Sequence, residues 1–413
     1  MNIFFVTRLF TSFEASLNNL NWSPEGLPTI YKLIESLDQK YNLNIFFLAK
    51  DSGKTYSSGW KRNNDIAMKV QGLKANISVF AGISYFNNFL PRKIAIILRD
   101  FRHLIKILIF VYREKPNIIY LDSSNVVIAS ILKLMFPKKK IILRVLGICT
   151  FLRSILDTKR IIHKIYKIAF RTNFSAVIGT QDGSGVEEWF DRILKKETKR
   201  YVLLNGVENI NNNKVKKKYY DIRKKNKKKI IILFLGRLEE NKGIELFLNT
   251  ALKLLKTYSL RVSFMIAGSG SLYNDIRKKV KESSYSNNFE ILGNIPHNEI
   301  MQLHKITDIY VSANKDGNLS NANLEAINSN DCMIIPKPRR DKKIDIKTYL
   351  FLKDSVYYYD INNSNDLVNK LKYLVINPNK IKKMQSKISA RKQKFVKSWE
   401  DRIKEEEKIL YNL

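Results

Sequence analysis

Ile230-Ile231-Ile232-Leu233-Phe234-Leu235 is an unbroken apolar run that stops at Gly236-Arg237. A strand with one wet face alternates apolar and polar residues, so a run without alternation has to be covered on both faces. The first half of the chain has further predominantly apolar runs at 3–6, 44–48, 77–80, 116–122, 140–145 and 176–179. The second half has others at 262–267, 289–292, 309–311, 333–335 and 356–358. Between the runs lie segments with helical spacing, such as Ile30, Leu33, Ile34 and Leu37, and the long stretch 92–113. Apolar strands alternating with helices predict an α/β fold with parallel sheets, here as two Rossmann-like domains facing one another.

The length fits that division, because 413 residues exceed what one ordinary core organises. The expected boundaries are 1–208 for the first domain, 209–229 for a linker and 230–395 for the second domain. A basic helical tail follows over 380–413, and its part from about 396 is assigned to the first domain. The linker assignment rests on residues 214–229, which carry ten Lys and Arg and one acid. Like-charge blocks of this kind are usually solvated.

Ligands on parallel sheets bind at the C-terminal strand ends, and the second half places its motifs there. Gly236-Arg237 ends one run, and Lys242 follows five residues on, before Gly243. Gly268-Ser269-Gly270 ends the next run but lacks the full dinucleotide fingerprint, so it reads as a tight turn beside a pocket. Asp316 and the loop Asn318-Leu319-Ser320-Asn321 lead into a helix that carries Leu324 and Glu325. Two cations and the N-terminus of a helix suit a diphosphate. Glu325, one turn in, can accept hydrogen bonds from ribose hydroxyls. In the first half, Gly26 before a helix lets backbone approach a phosphate, and Asp122, Ser123, Arg144 and Gly147 at strand ends are acceptor-side candidates. Ser52-Gly53-Lys54-Thr55 mimics a phosphate loop, but the required earlier glycine is Leu48, which rules it out.

Two cysteines and four histidines show neither a disulfide framework nor metal spacing, so no metal is expected. The formal charge is +35, from 73 Lys and Arg against 38 Asp and Glu, and it calls for an acidic partner. Residues 91–175 hold 18 Lys and Arg against 4 Asp and Glu, a net +14, interleaved with apolar residues at helical spacing. Basic helices with apolar faces point to an anionic membrane surface. Nucleic acid is not expected, because the aromatics fall on the apolar faces rather than among the charges. No run is long and uncharged enough to span a bilayer.

The order Gly26 loop, Asn205-Gly206-Val207, Gly236-Arg237-Leu238, Lys242-Gly243, Gly268-Ser269-Gly270, Leu292-Gly293 and Leu324-Glu325-Ala326 resembles the family 4 retaining glycosyltransferases of the GT-B fold. The likeness covers essentially the whole chain and is most specific over 230–330. It implies Arg237 and Lys242 as catalytic groups on the donor diphosphate and Glu325 on the ribose. Gly26, Gly236, Gly268, Asp316, Asn318, Ser320, Asn321 and Leu324 are the further donor-side positions. It also implies a C-terminal helix crossing back to the first domain, anchored by Trp399. The expected activity is hexosyltransferase-type and metal-independent. A nucleotide diphosphate sugar is the co-substrate, and the acceptor is lipid-linked or a cell-envelope polysaccharide at the cytoplasmic membrane face. The sequence departs from the pattern in places. Gly317 stands eight residues before Glu325, where the family has a glutamate, with Asp316 beside it. Leu146-Gly147 stands where the family often has His-Gly. The alternative reading is a catalytically degenerate GT-B protein acting as a membrane-associated binding module. An epimerase of the same architecture is a third reading, without clear cleft carboxylates and histidines to support it.

Overall fold

The computed structural model describes residues 1–50, 60, 63–86, 90–157, 160–209 and 215–413. The Ser52–Thr55 motif lies outside them. The chain divides into two compact units. The first comprises Met1–Thr180, Glu187–Leu203 and Ile403–Leu413. The second comprises Gln181–Val186 and Leu204–Arg402.

The first unit is built on an eight-stranded sheet. Its strands are β1 (Asn2–Arg8), β2 (Asn42–Leu48), β3 (Ile66–Met68), β4 (Asn76–Phe80), β5 (Ile118–Asp122), β6 (Lys140–Val145), β7 (Ala176–Gln181) and β8 (Arg200–Leu204). Their order is β3-β4-β2-β1-β5-β6-β7-β8. β4, β2, β1, β5, β6 and β7 are parallel, while β3 runs antiparallel to β4. The central strands are buried along nearly their whole length, as unalternating runs require. One face packs Ile30, Leu33 and Leu37 of the Pro28–Lys40 helix against Ile3, Phe5 and Ile45.

The second unit has a six-stranded sheet. Its strands are β9 (Ile230–Leu235), β10 (Val262–Ala267), β11 (Phe289–Gly293), β12 (Ile309–Val311), β13 (Cys332–Pro336) and β14 (Tyr357–Tyr359), in the order β11-β10-β9-β12-β13-β14. All its paired strands are parallel. Two apolar clusters cover its faces. One centres on Phe234, Phe247 and Phe264, the other on Leu233, Met265, Leu324 and Ile335.

Three expectations change. The stretch read as a linker forms a helix, Lys217–Lys225, within the second unit, and its Tyr219 is buried in the second cluster. One aromatic inside a run of lysines is enough to dock it. The tail is not continuous: it forms two helices, Asn379–Lys392 and Trp399–Tyr411. The residues after β1, for which no helix was expected, include one at Thr11–Asn18, whose Phe13 and Leu17 are buried.

Candidate functional site

The site in the second unit is assembled by three loops at the C-terminal ends of β9, β10 and β12. Two of them approach more closely than any side chain would allow. A Cβ on Gly268 would lie 1.9 Å from the Gly236 carbonyl oxygen, and one on Gly270 would lie 2.5 Å from that of Leu238. Gly268 also holds φ +131°. Glycine is therefore required, and backbone bonds from Gly236 N to Ala267 O (3.0 Å) and Leu238 N to Ser269 O (2.9 Å) lock the loops together. Gly268-Ser269-Gly270 thus supports the Arg237 loop.

The Lys242 loop is tied in the same way to the loop after β12. A Cβ on Gly243 would meet the Ala313 carbonyl oxygen at 2.3 Å. Lys315 N donates to Asn241 O at 2.9 Å, and Asn241 Nδ2 donates to Asp316 Oδ2 at 2.8 Å. Lys242 is half-buried while Arg237 is exposed. Burial and then the Arg237 charge hold the Lys242 amine below its ordinary pKa, opposed by Asp316 and Asp182. Two cations and two carboxylates therefore share one locality.

Asp182 was given no role from the sequence. It follows β7, yet its short segment belongs to the second unit. Leu319 N donates to Asp182 O at 3.0 Å, and Asp345 N donates to Gly183 O at 2.7 Å. A Cβ on Gly317 would sit 2.5 Å from Asp182 O, so this position accepts no side chain at all. Burial pushes the Asp182 carboxyl up, against hydrogen bonds from Ser184 and the charge of Lys242. The signal available in the sequence was Gly183 and Gly185 bracketing Ser184 directly after a strand.

The helix Asn321–Asn328 starts at Ser320, whose side chain makes no capping hydrogen bond. Asn321 accepts from Asn205 Nδ2 at 2.7 Å. Glu325, 8% exposed, places Oε1 3.1 Å from His297 Nε2. Both line a cavity of about 660 Å³ together with Glu208, Lys216, Met301 and Lys305. His297 is a second residue that the sequence left without a role. His304 Nδ1 pairs with Asp331 Oδ2 at 2.7 Å, and both are buried. Burial disfavours the charged ring, but Asp331 and Glu325 outweigh it and raise the His304 pKa.

Several expected ligand residues are structural. Asn318 is fully buried, with its amide nitrogen 2.7 Å from Asp345 and its amide oxygen accepting from Ser312 at 2.7 Å. It holds the loop and does not face solvent. Leu324 is fully buried in an apolar cluster. Arg144, expected at an open strand end, is also fully buried. Its guanidinium bonds Ile178 O at 2.9 Å and Thr180 Oγ1 at 2.7 Å, and it pairs with Glu406 at 3.5 Å. Glu406 also accepts from the Tyr120 hydroxyl. Asp122 is buried too. It accepts from Thr7 Oγ1 at 2.6 Å and from Ser124 N at 2.8 Å, capping a short helix. Ser123 and Gly147, at the ends of β5 and β6, remain partly accessible. Gly26 is exposed in the first unit at φ +78°, in a turn that its lack of a Cβ permits.

Two α/β units, each built on a parallel sheet, are the architecture of the GT-B class of fold. In the second unit, residues 215–394 match the family model of Glycosyl transferases group 1. Among curated proteins no sequence matches. Solved structures share the fold at low identity. Sucrose-phosphate synthase from Thermosynechococcus elongatus is 12% identical with a TM-score of 0.70, over 99% of this chain and 98% of that one. HepE of Anabaena, solved in complex with UDP, is 11% identical with a TM-score of 0.67, over the whole of both chains. A glycosyltransferase from Rickettsia africae is 14% identical with a TM-score of 0.63, over 100% of this chain and 99% of that one.

Proposed function

We propose that the chain transfers a sugar from a nucleoside diphosphate sugar to a lipid-linked or cell-envelope polysaccharide acceptor at the cytoplasmic membrane face, with retained anomeric configuration. The observation that carries this is the convergence of Arg237 and Lys242 at the end of β9, beside a helix start that no side chain caps, with Glu325 on an adjoining cavity. The donor diphosphate would sit on the two cations and the ribose on Glu325. The nucleoside would extend into the cavity beside His297. The Anabaena relative crystallised with UDP supports this choice of ligand.

In this reading the leaving diphosphate accepts the acceptor's proton. The protein stabilises charge growing on phosphate, and preorganised donors do so most effectively where water is excluded. Arg237 and Lys242 carry that load without a metal. The charges of Asp316 and Asp182 favour the protonated lysine.

Thermal shift against UDP, GDP, ADP and their common sugars tests the donor half. One base should stabilise the protein, and Glu325→Ala should abolish that shift. Transfer measured with EDTA should match transfer with added magnesium. If no nucleotide stabilises the protein, the donor assignment fails and the binding-module alternative gains.

A further inference from the structure

In the first unit the Arg92–Glu114 helix is turned inside out. Its buried stripe is Ala95, Arg99, His103, Ile107 and Val111, so a guanidinium and an imidazole point inward. They are provided for there. His103 Nε2 bonds Ala81 O at 2.9 Å, and Asp100 bonds both Arg99 and the buried Lys50. Burial, then Lys50, pushes the His103 ring down to about 3, which keeps it neutral. The outer face is the reverse. Every exposed residue from Ile94 to Tyr112 is apolar or tyrosine, with Ile97 68% and Phe101 60% exposed. A solvated helix shows the opposite pattern.

The Ile161–Phe170 helix repeats the inversion. His163 is buried, while Ile161, Ile162, Ile165 and Ile168 are exposed beside Lys164. Tyr166 of this helix lies within range of the charges of Asp100 and Arg99 on the Arg92–Glu114 helix. Exposed cations rim both: Arg92, Lys93, Arg113, Arg160 and Arg171. The Ile161–Phe170 helix carries no acid at all. Among the described residues no helix is long and apolar enough to cross a membrane.

An apolar face ringed by cations admits two occupants of different charge. A second copy of a chain with net charge +35 would set basic rim against basic rim. An anionic leaflet neutralises the rim and accepts the apolar side chains between headgroups. We infer that the outer faces of the Arg92–Glu114 and Ile161–Phe170 helices form a seat that lies in the headgroup region of an anionic phospholipid leaflet. This deepens the membrane-facing half of the proposed function and is independent of the donor half.

Flotation with vesicles of phosphatidylcholine alone, and of equimolar phosphatidylcholine and phosphatidylglycerol, tests it. The chain should float with the anionic vesicles at low salt and fall away at high salt. Phe101→Asp and Ile165→Asp, both on the surface, should each lower partitioning by roughly tenfold or more, as loss of one buried large apolar side chain does. Neutralising Arg92 or Lys93 should lower it by about fivefold each. Absence of flotation at low salt overturns the proposal, as does unchanged partitioning of the Phe101→Asp/Ile165→Asp double variant. A doubled mass by light scattering that Phe101→Asp returns to one chain also overturns it, since the face would then be a self-interface. The nucleotide thermal shift is read on the same samples. Its retention in non-floating variants shows that they are folded. Its loss from a chain that still floats sinks the donor reading alone.

Discussion

Lys242→Ala is the sharpest test of the donor site. The amine is half-buried next to Arg237, Asp316 and Asp182, so its removal leaves a charge-binding locality short of one cation. A hydrogen bond to an ionised group contributes about 1.5–3 kcal/mol, which is roughly a 10- to 150-fold loss of affinity for the nucleoside diphosphate. Turnover should fall further, by roughly 10²–10³-fold, if the lysine binds the transition-state charge more tightly than the ground state. The pKa adds a second signature. Burial and Arg237 hold the free amine below the ordinary 10.5, so donor affinity should begin to fall at a lower pH than a free lysine would dictate. For folding the sign is opposite. The unfolded chain binds the extra proton, so the lysine's contribution to stability rises with pH through the window between its lowered value and 10.5. Lys242→Arg, which does not titrate there, should flatten the binding profile. Arg237→Ala should raise the Lys242 pKa and move the fall to higher pH, making the two losses non-additive. Isothermal titration calorimetry across pH measures all of this. An affinity of Lys242→Ala within twofold of the parent chain would refute the assignment. Superimposable alkaline profiles for the parent and Lys242→Arg would refute the titration argument.

Gly243→Ala should destabilise the second unit by about 2–5 kcal/mol, from a left-handed backbone that an L side chain resists and a methyl group driven into the Ala313 carbonyl. It should also weaken nucleotide binding, and denaturant titration with calorimetry separates the two effects. Glu406→Ala removes the carboxylate paired with the buried Arg144 guanidinium and should cost about 3–5 kcal/mol in chemical unfolding of the first unit, whereas an Arg144→Met/Glu406→Leu double variant should recover most of it. A single variant as stable as the parent would show that the pair carries no weight.

Strands were the most legible feature of the sequence, because burial on both faces leaves runs such as 230–235 with no alternation to misread. β3 escaped because Ile66–Met68 has three residues and is only partly covered. The Thr11–Asn18 helix escaped because it is short and mostly polar, and the break in the tail because its basic composition hides the change at 393–398. Arg144 was miscast for a different reason. An arginine at a strand end looks functional until its partner is known, and Glu406 lies on the last helix. Asp182 and His297 show the same limit. Their positions are set by contacts with Leu319, Gly317 and Glu325, which no local pattern encodes. The positions of Arg237 and Lys242 after β9, and of Glu325 in the Asn321–Asn328 helix, were legible from glycine punctuation and a helix start.

The segment Ile403–Leu413 seals the first unit, with Ile403 and Leu410 in its core and Glu406 against Arg144. A ribosome therefore releases the opening sheet early but withholds one wall of it until the Leu204–Arg402 segment of the second unit has been made. Until then Ile403 and Leu410 are missing from its core, and Glu406 from Arg144. The second unit, whose parts end at Arg402, can close before it.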